Sequence, residues 1–363
     1  MRMSSIVAAQ RTTASTDAKR APMHGRLQAF RRRAVAWLVR RALPGASNRV
    51  PPGELPRAGI QRILVCRPNH RLGNTLMVTP LLAELEARFP GAEVDVLGSG
   101  GATRGVFAGY ASIGEFFLLE RRALRHPIAT VNTLRRLRSK RYDLVIDAAS
   151  GSSSGRLAAG MAQARFQVSV EGTPDAPVHF AARPVHALRV ALGDTSGVTP
   201  PLDLRLSDAE RAKGAERLAR VLNAAQGSDA PVMAIFPNAT GAKRQDTAWW
   251  QAFLGALFAR IGERRVVELV AADGISRLDN AYPTYFTSDP RKLAAFIDAA
   301  GSYISADCGV MHLAAATQAT TIGLFSRTDP KRYAPYGHGN AGVTCEDGCP
   351  ERTAARVAAL LGG

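Results

Sequence analysis

The residues best suited to chemistry lie in a short block near the C-terminal end of the chain. This block, Asp307-Cys-Gly-Val-Met-His312, directly follows an apolar strand pattern that ends at Ala306. A helix should begin near Gly309, where free N–H groups and the helix dipole favour an anion such as a diphosphate. His312 lies about one turn further on, where its imidazole could hydrogen-bond the same phosphates. The competing interpretation is a core histidine whose hydrogen bonds are satisfied within the protein.

A second loop of this kind follows the strand pattern Pro231–Phe236. It runs from Pro237 to Gln245 and contains Thr240 and Gly241, small residues that let a backbone approach a ligand closely. Lys243 can place a positive charge beside a phosphate. The alternative is a solvated loop with an ordinary surface lysine.

Two loops in the N-terminal part occupy equivalent positions. One, Arg67–Asn74, follows the strand pattern Arg62–Cys66, and the other begins at Asp147, which ends the strand pattern Tyr142–Asp147. Parallel strands end at one rim of a sheet, and ligands bind at that rim. We therefore expect both loops on the same rim, although ordinary turns between strands and helices could have the same composition.

Alternating strands and helices position these loops. Short apolar runs suited to buried parallel strands recur through residues 62–170 and through residues 231–325, with amphipathic helices between them. One predicted helix spans Thr75–Phe89, with Pro80 kinking it or delaying its regular part. Another predicted helix begins after Ser207. Ser207 and Glu210, three residues later, have the spacing of a capping box. The pattern predicts an α/β protein with two Rossmann-like domains facing a cleft. The predicted division is a basic N-terminal helical arm and linker (1–58), a first domain (60–205), a connecting helix and linker (206–230) and a second domain (231–363).

The net charge of this 363-residue chain is +17, and much of it lies near the N-terminus. Residues 1–58 contain twelve arginines and lysines against two acidic side chains. Residues 24–43 have apolar side chains at helical spacing among arginines, which predicts a basic amphipathic helix. Such a helix could contact the anionic inner-membrane surface, or it could dock on the protein's own body. No zinc finger, RRM signature or aromatic-interleaved basic patch is present, so nucleic acid is not a predicted partner.

The four cysteines and the apolar runs favour a cytoplasmic protein. Cys66 lies in a strand pattern, and Cys345 and Cys349 have no second Cys or His pair nearby to complete a zinc site. Whether those two cysteines pair is left open. No apolar run approaches the roughly 18 to 20 residues that span a bilayer. We therefore predict a reduced, cytoplasmic protein, peripheral at most on the inner face of the inner membrane.

In combination these segments resemble glycosyltransferase family 9, the lipopolysaccharide heptosyltransferase family. The matching pieces, spread over about residues 60–340, are Arg67…Arg71-Leu-Gly-Asn74, Tyr142–Asp147, Asn238–Lys243 with Trp249-Trp250, Asp307–His312, Thr328-Asp-Pro330 and Tyr336-Gly337. The resemblance implies a GT-B fold and an inverting transfer without metal or other cofactor. It also implies a nucleotide-sugar donor, typically ADP-heptose, and an anionic lipopolysaccharide-core acceptor.

The resemblance carries over donor-site roles residue by residue. Asp307, Gly309 and His312 would hold the diphosphate, and Lys243 matches a basic residue that faces the donor phosphates. Cys308 stands where the family usually has Thr or Ser, so one hydroxyl contact is lost. Thr240 and Gly241 belong to the same predicted donor loop.

The main departure from the family is Asn74, because the family usually has there an aspartate that is the expected general base. The family's Asp-Arg-x-Gly-Asp appears here as His70-Arg-Leu-Gly-Asn74. Asparagine cannot accept a proton at neutral pH, whereas the imidazole of His70 can. Three interpretations stay open: His70 is the base, Asn74 orients the acceptor while Asp147 is the base, or catalysis has been lost.

Arginines of the N-terminal part are the predicted acceptor-binding residues. Arg67 and Arg71 lie in the first loop, and Arg121 and Arg122 begin a basic stretch that continues to Arg141. Guanidinium groups suit phosphates and carboxylates of an anionic glycolipid. A solvated basic helix face is the alternative for this stretch. A nucleotide-sugar-binding protein without transferase activity, or a transferase with another nucleotide sugar, is the alternative for the whole chain.

Overall fold

The computed structural model describes residues 49–120, 126–149, 153–223, 230–239, 241–337, 339–345 and 348–362. Throughout this part of the chain, strands alternate with helices, as the sequence predicts. The predicted membrane-contact segment 24–43 lies outside the described residues. Among the residues described, no helix combines the length and apolar character needed to cross a bilayer.

The N-terminal half is a five-stranded parallel sheet in the order β3-β2-β1-β4-β5. Its elements are β1 Arg62–Cys66, α1 Leu72–Leu76, α2 Thr79–Arg88, β2 Glu93–Ser99, α3 Ala102–Phe107, β3 Ile113–Leu119, α4 Pro127–Ser139, β4 Arg141–Asp147, α5 Ser153–Met161, β5 Gln163–Ser169 and α6 Ala182–Leu192. The central strand β1 is almost continuously apolar, because helices cover both faces of the sheet.

The C-terminal half is a six-stranded parallel sheet in the order β11-β10-β9-β6-β7-β8. After α7, Asp208–Asn223, its elements are β6 Val232–Phe236, α8 Thr247–Ile261, β7 Arg265–Leu269, β8 Thr284–Tyr285, α9 Pro290–Ala300, β9 Ser302–Ala306, α10 Gly309–Ala315, β10 Thr320–Phe325, α11 Pro330–Tyr333, β11 Ala341–Thr344 and α12 Pro350–Leu361. The fold class predicted from the sequence, two Rossmann-like α/β halves, is confirmed.

Each sheet contains one point where the strand order reverses. In the first sheet the chain builds outward from β1 to β2 and β3, then crosses to β4 on the other side of β1. In the second sheet it builds from β6 to β7 and β8, then crosses to β9 on the other side of β6. Loops diverge above such a switch point and leave a crevice at the carboxyl ends of the strands, where ligands bind.

The helix predicted over Thr75–Phe89 is two helices instead. It starts earlier, at Leu72, breaks after Leu76 and restarts at Thr79. Pro80 lies in the first turn of α2, where its missing N–H would have no helical partner in any case. The proline therefore starts the second helix and does not kink a single long one.

The two halves share an apolar core. The cluster around the first sheet continues into Leu313 and Ala315 of α10 and into Ala316 just after it, all at most 2% exposed. Leu55, in the predicted linker, is buried in the same cluster. The N-terminal half and α10 are therefore packed directly against each other.

The connection between the halves is held by a capped helix and one arginine. Ser207 and Glu210 form the predicted capping box at the start of α7: Ser207 N donates to Glu210 Oε2 at 2.9 Å and Glu210 N to Ser207 Oγ at 3.3 Å. The guanidinium of Arg291, on α9, donates to Glu210 and to the carbonyls of Leu204 and Arg205 in the connection. It also donates to the carbonyl of Gly105, in α3, at 3.2 Å. Arg291 therefore bonds the C-terminal half both to the N-terminal half and to the connection between them.

Candidate active site

Three polar side chains meet above the switch point of the second sheet. Lys243 follows β6, Asp307 follows β9 and Thr328 follows β10. Asp307 Oδ2 accepts hydrogen bonds from Lys243 Nζ and from Thr328 Oγ1, each at 2.5 Å. The Asp307 side chain is 10% exposed and that of Lys243 29%, so Lys243 keeps access to solvent. A carboxylate repels a phosphate, so Asp307 is suited to orient Lys243 and Thr328 toward an anion.

The turn that follows Asp307 remains partly open. Cys308, Gly309 and Val310 are half-buried, whereas Met311 to Ala316 are buried. Cys308 occupies the N-cap position of α10 in extended conformation, and its side chain makes no capping hydrogen bond. A serine or threonine hydroxyl at this position could make that bond. Desolvation raises the pKa of this thiol, so Cys308 is uncharged at neutral pH.

His312 lies against the opposite half of the molecule. A methyl group at the Cβ position of Gly73, in α1, would lie 2.5 Å from His312 Cδ2, so only glycine fits there. Burial lowers the pKa of His312 to about 4, against a smaller opposing effect of Asp307, and the ring is neutral at physiological pH. Its Nδ1 has no hydrogen-bond partner. A buried polar atom without a partner is one that a bound ligand could satisfy.

Arg67 organises the opposite rim, above the switch point of the first sheet. Its Nη1 donates to Ala148 O at 2.9 Å and its Nε to Asn74 O at 3.3 Å. The arginine thereby ties the loop after β1 to the loop after β4, as expected for two loops on one rim. Desolvation lowers the pKa of Arg67, with an opposing effect of Asp147, and the group stays positively charged.

A cavity of about 170 Å³ opens beside Arg67, at the rim of the first sheet. Its lining residues are Arg67, Pro68, Asn69, Asn74, Ala149, Phe180 and Tyr333. Six of these belong to the N-terminal half, and Tyr333, in α11, belongs to the C-terminal half. The cavity is therefore built by both halves.

The other predicted residues of the N-terminal half lie around this cavity. His70 and Arg71 are exposed on the turn that supplies Asn69 and Asn74 to its wall. Asp147 is 1% exposed, and its Oδ1 accepts a hydrogen bond from Ala149 N at 3.1 Å. Of the three predicted catalytic residues, the structure thus places Asn74 on the cavity wall, His70 on the adjoining turn and Asp147 beneath the surface.

Some predicted residues lie outside the described part of the chain. These are Thr240 of the donor loop and Arg121 and Arg122 of the acceptor side. Gly241 is described and lies at the start of a short 3₁₀ helix that ends at Lys243. Within the described segments, no group of three His, Cys, Asp or Glu side chains could hold a metal ion.

Known proteins share this arrangement of two halves. Residues 291–357 match the family model of glycosyltransferase family 9 (heptosyltransferase). Three similar solved structures are E. coli heptosyltransferase WaaC with ADP (TM-score 0.64, 19% identity, 83% of this chain and 99% of that one), a family 9 glycosyltransferase from Veillonella parvula (0.64, 17%, 84% and 98%) and E. coli ADP-heptose lipopolysaccharide heptosyltransferase II (0.61, 18%, 83% and 98%). No curated protein matches the chain in sequence.

The predicted resemblance to glycosyltransferase family 9 is confirmed. The chain has the GT-B fold of the family 9 structures over most of its length. The segment that matches the family model contains the Asp307–His312 block and Thr328, which the geometry brings together with Lys243.

Sequence reasoning did not single out two residues of the cavity, Phe180 and Tyr333. Phe180 lies in a long connection between β5 and α6 that has no strand or helix pattern of its own. Tyr333 ends the four-residue helix that begins at Pro330, the last residue of the quoted Thr328-Asp-Pro330 motif. Only the packing of the two halves shows that these rings meet.

Proposed function

We propose that the chain is an inverting, metal-independent heptosyltransferase of family 9. It would move heptose from ADP-heptose onto the anionic inner core of lipopolysaccharide, or onto a related surface glycan, at the cytoplasmic face of the inner membrane. Two of the similar structures support this donor, since one holds ADP and another, E. coli WaaC (TM-score 0.55, 18% identity), holds ADP-2-deoxy-2-fluoro heptose.

The observation that carries the proposal is the Lys243–Asp307–Thr328 cluster at a switch point, directly before α10, which packs against α1 of the other half. Transfer builds negative charge on the departing diphosphate. Lys243 and Thr328 would stabilise that charge, together with the backbone N–H of Gly309 in the half-buried turn. Asp307 would hold both donors in place, and His312 Nδ1 would gain its missing partner from the donor.

His70 is our proposed general base. It is the one side chain of the Arg67–Asn74 turn of a type that serves as a general base, and it is exposed on the turn that supplies Asn69 and Asn74 to the cavity. Asp147 is buried and bonded to Ala149 N, which suits it to hold Arg67 and the loop after β4. Asn74 lines the cavity and would orient the acceptor.

The position of Asn74 also favours a second candidate, a protein that binds the nucleotide sugar without transferring it. An assay with purified protein, ADP-heptose and inner-core lipopolysaccharide acceptor in excess chelator separates the two. We expect a glycosylated acceptor and released ADP. ADP-heptose binding without turnover would favour the second candidate, and a strict metal requirement would contradict the proposed mechanism.

A further inference from the structure

A short segment of the N-terminal half docks on α11 and the residues that follow it. His179 Nε2 donates to Ala334 O at 2.9 Å, and Phe180 N donates to Arg332 O at 3.2 Å. Ala181 N donates to His179 Nδ1 at 3.2 Å, so Nδ1 is the acceptor and Nε2 carries the proton. Two backbone carbonyls of the C-terminal half thus hold this segment across the cleft.

The contact contains two aromatic pairs, and only one of them faces the cavity. His179 stacks on Tyr336, with ring centroids 4.6 Å apart, and neither ring lines the cavity. Phe180 packs on Tyr333, with centroids 4.9 Å apart, and both rings line it. The two tyrosines therefore make similar ring contacts across the cleft but differ in whether a cavity ligand could touch them.

The Phe180–Tyr333 pair is held in place from several sides. The Arg183 guanidinium lies 4.4 Å from the centre of the Phe180 ring. Tyr333 packs on the core cluster of the first sheet and also on a core cluster of the second sheet, so both halves support its ring.

The cavity has walls of two chemical kinds. Phe180 and Tyr333 form an aromatic wall, and Arg67, Asn69 and Asn74 form a polar wall. A sugar ring matches such a pair of walls, because its C–H groups suit an aromatic face while its hydroxyls need hydrogen-bond partners.

We propose that this cavity is the acceptor-sugar subsite and that one sugar ring of the acceptor packs against Phe180 and Tyr333. Because Tyr333 comes from the C-terminal half, the subsite is complete only when the two halves are together. The proposal rests on the proposed function, since it names where that reaction's acceptor binds. It makes Tyr333 a binding residue for the acceptor although it belongs to the donor-side half.

Calorimetric titration of the full-length protein with inner-core lipopolysaccharide oligosaccharide, at saturating ADP, tests this. We expect Tyr333→Ala and Phe180→Ala to weaken oligosaccharide binding by about tenfold, the order that loss of one aromatic contact gives. Tyr333→Phe keeps the ring and should bind within about twofold of wild type. Tyr336→Ala is the matched control, because it removes a ring from the same contact but not from the cavity wall.

The outcomes also separate this proposal from the proposed function. Wild-type binding by Tyr333→Ala, or an equal loss in Tyr336→Ala, would overturn the subsite, as would a wild-type protein that binds ADP but no oligosaccharide. The proposed function fails in a different way, if ADP produces no rise in unfolding temperature or if no sugar is transferred. If ADP raises the unfolding temperature of Tyr333→Ala as much as that of wild type, this variant is folded and still binds ADP.

Discussion

Replacement of Gly73 by alanine should prevent the two halves from meeting as they do in the structure. The new methyl group would lie 2.5 Å from His312 Cδ2, whereas carbon atoms in contact prefer about 3.5 to 4.0 Å. His312 is only 4% exposed and has little room to move, so α1 and α10 must separate by about 1 Å or more. Overpacking of this kind costs about 1 to 3 kcal/mol.

That cost falls on the closed arrangement and should appear in catalysis. A penalty of about 1 to 3 kcal/mol lowers the equilibrium constant for closing by about 5- to 150-fold. If the open form predominates in the free enzyme, kcat/KM for transfer should fall by a similar factor. Steady-state kinetics with ADP-heptose and inner-core acceptor would measure it. Gly255→Ala is the control, since Gly255 is exposed in α8 with nothing within 4 Å of its Cβ position. That change should leave kcat/KM intact and slightly stabilise the helix.

A double-mutant cycle identifies the cause. His312→Ala removes the ring that the new methyl group of Gly73→Ala would contact. In a His312→Ala background, Gly73→Ala should therefore lower kcat/KM only slightly. Additive losses in the cycle would refute the reasoning, as would a Gly73→Ala protein with wild-type kcat/KM.

Three further predictions concern the proposed general base His70, the buried imidazole of His312 and Arg291, which bonds to the connection between the halves. His70→Ala should lower kcat by about 10²- to 10⁴-fold and leave ADP affinity unchanged, and unaltered turnover would eliminate His70 as the base. The pKa of His312 is about 4 in the folded protein against 6.5 for an ordinary histidine, so only the unfolded chain takes up this proton between those values. The contribution of His312 to the free energy of unfolding should therefore be constant above pH 6.5 and should fall by about 3 kcal/mol toward pH 4. Urea titrations across this range should show a smaller fall for His312→Asn than for wild type. Arg291→Ala should cost about 2 kcal/mol of unfolding free energy, because three carbonyls lose their donor and Glu210 keeps only its bonds to Ser207. A loss under about 0.5 kcal/mol would contradict this role of Arg291.

The strands of both sheets could be predicted because they are buried on both faces and read as apolar runs. Arg62–Cys66 has the predicted bounds, and β9 ends at Ala306 as predicted. The donor cluster followed from the same logic, since loops at a strand's carboxyl end meet at one rim. What the sequence could not supply was the role of Asp307, which depends on Lys243 lying 2.5 Å away after a different strand.

The parts that sequence reasoning missed depend on contacts between the halves. Gly73 looks like a turn glycine in the sequence, yet its small size is required by the His312 ring across the cleft. Phe180 and Tyr333 are 153 residues apart and carry no local pattern that would pair them. The break between α1 and α2 was missed because Pro80 can either kink a helix or begin one, and the sequence alone does not decide which.

The proposed transferase activity requires that the Lys243–Asp307–Thr328 cluster bind the diphosphate of a nucleotide sugar. Calorimetric titration with ADP and with AMP, on wild type and on Lys243→Met, tests it directly. We predict that wild type binds ADP well over tenfold more tightly than AMP and that Lys243→Met removes most of that difference, because a charge-assisted contact contributes about 1.5 to 3 kcal/mol. Equal affinity for ADP and AMP, or a Lys243→Met protein that binds ADP like wild type, would contradict the account.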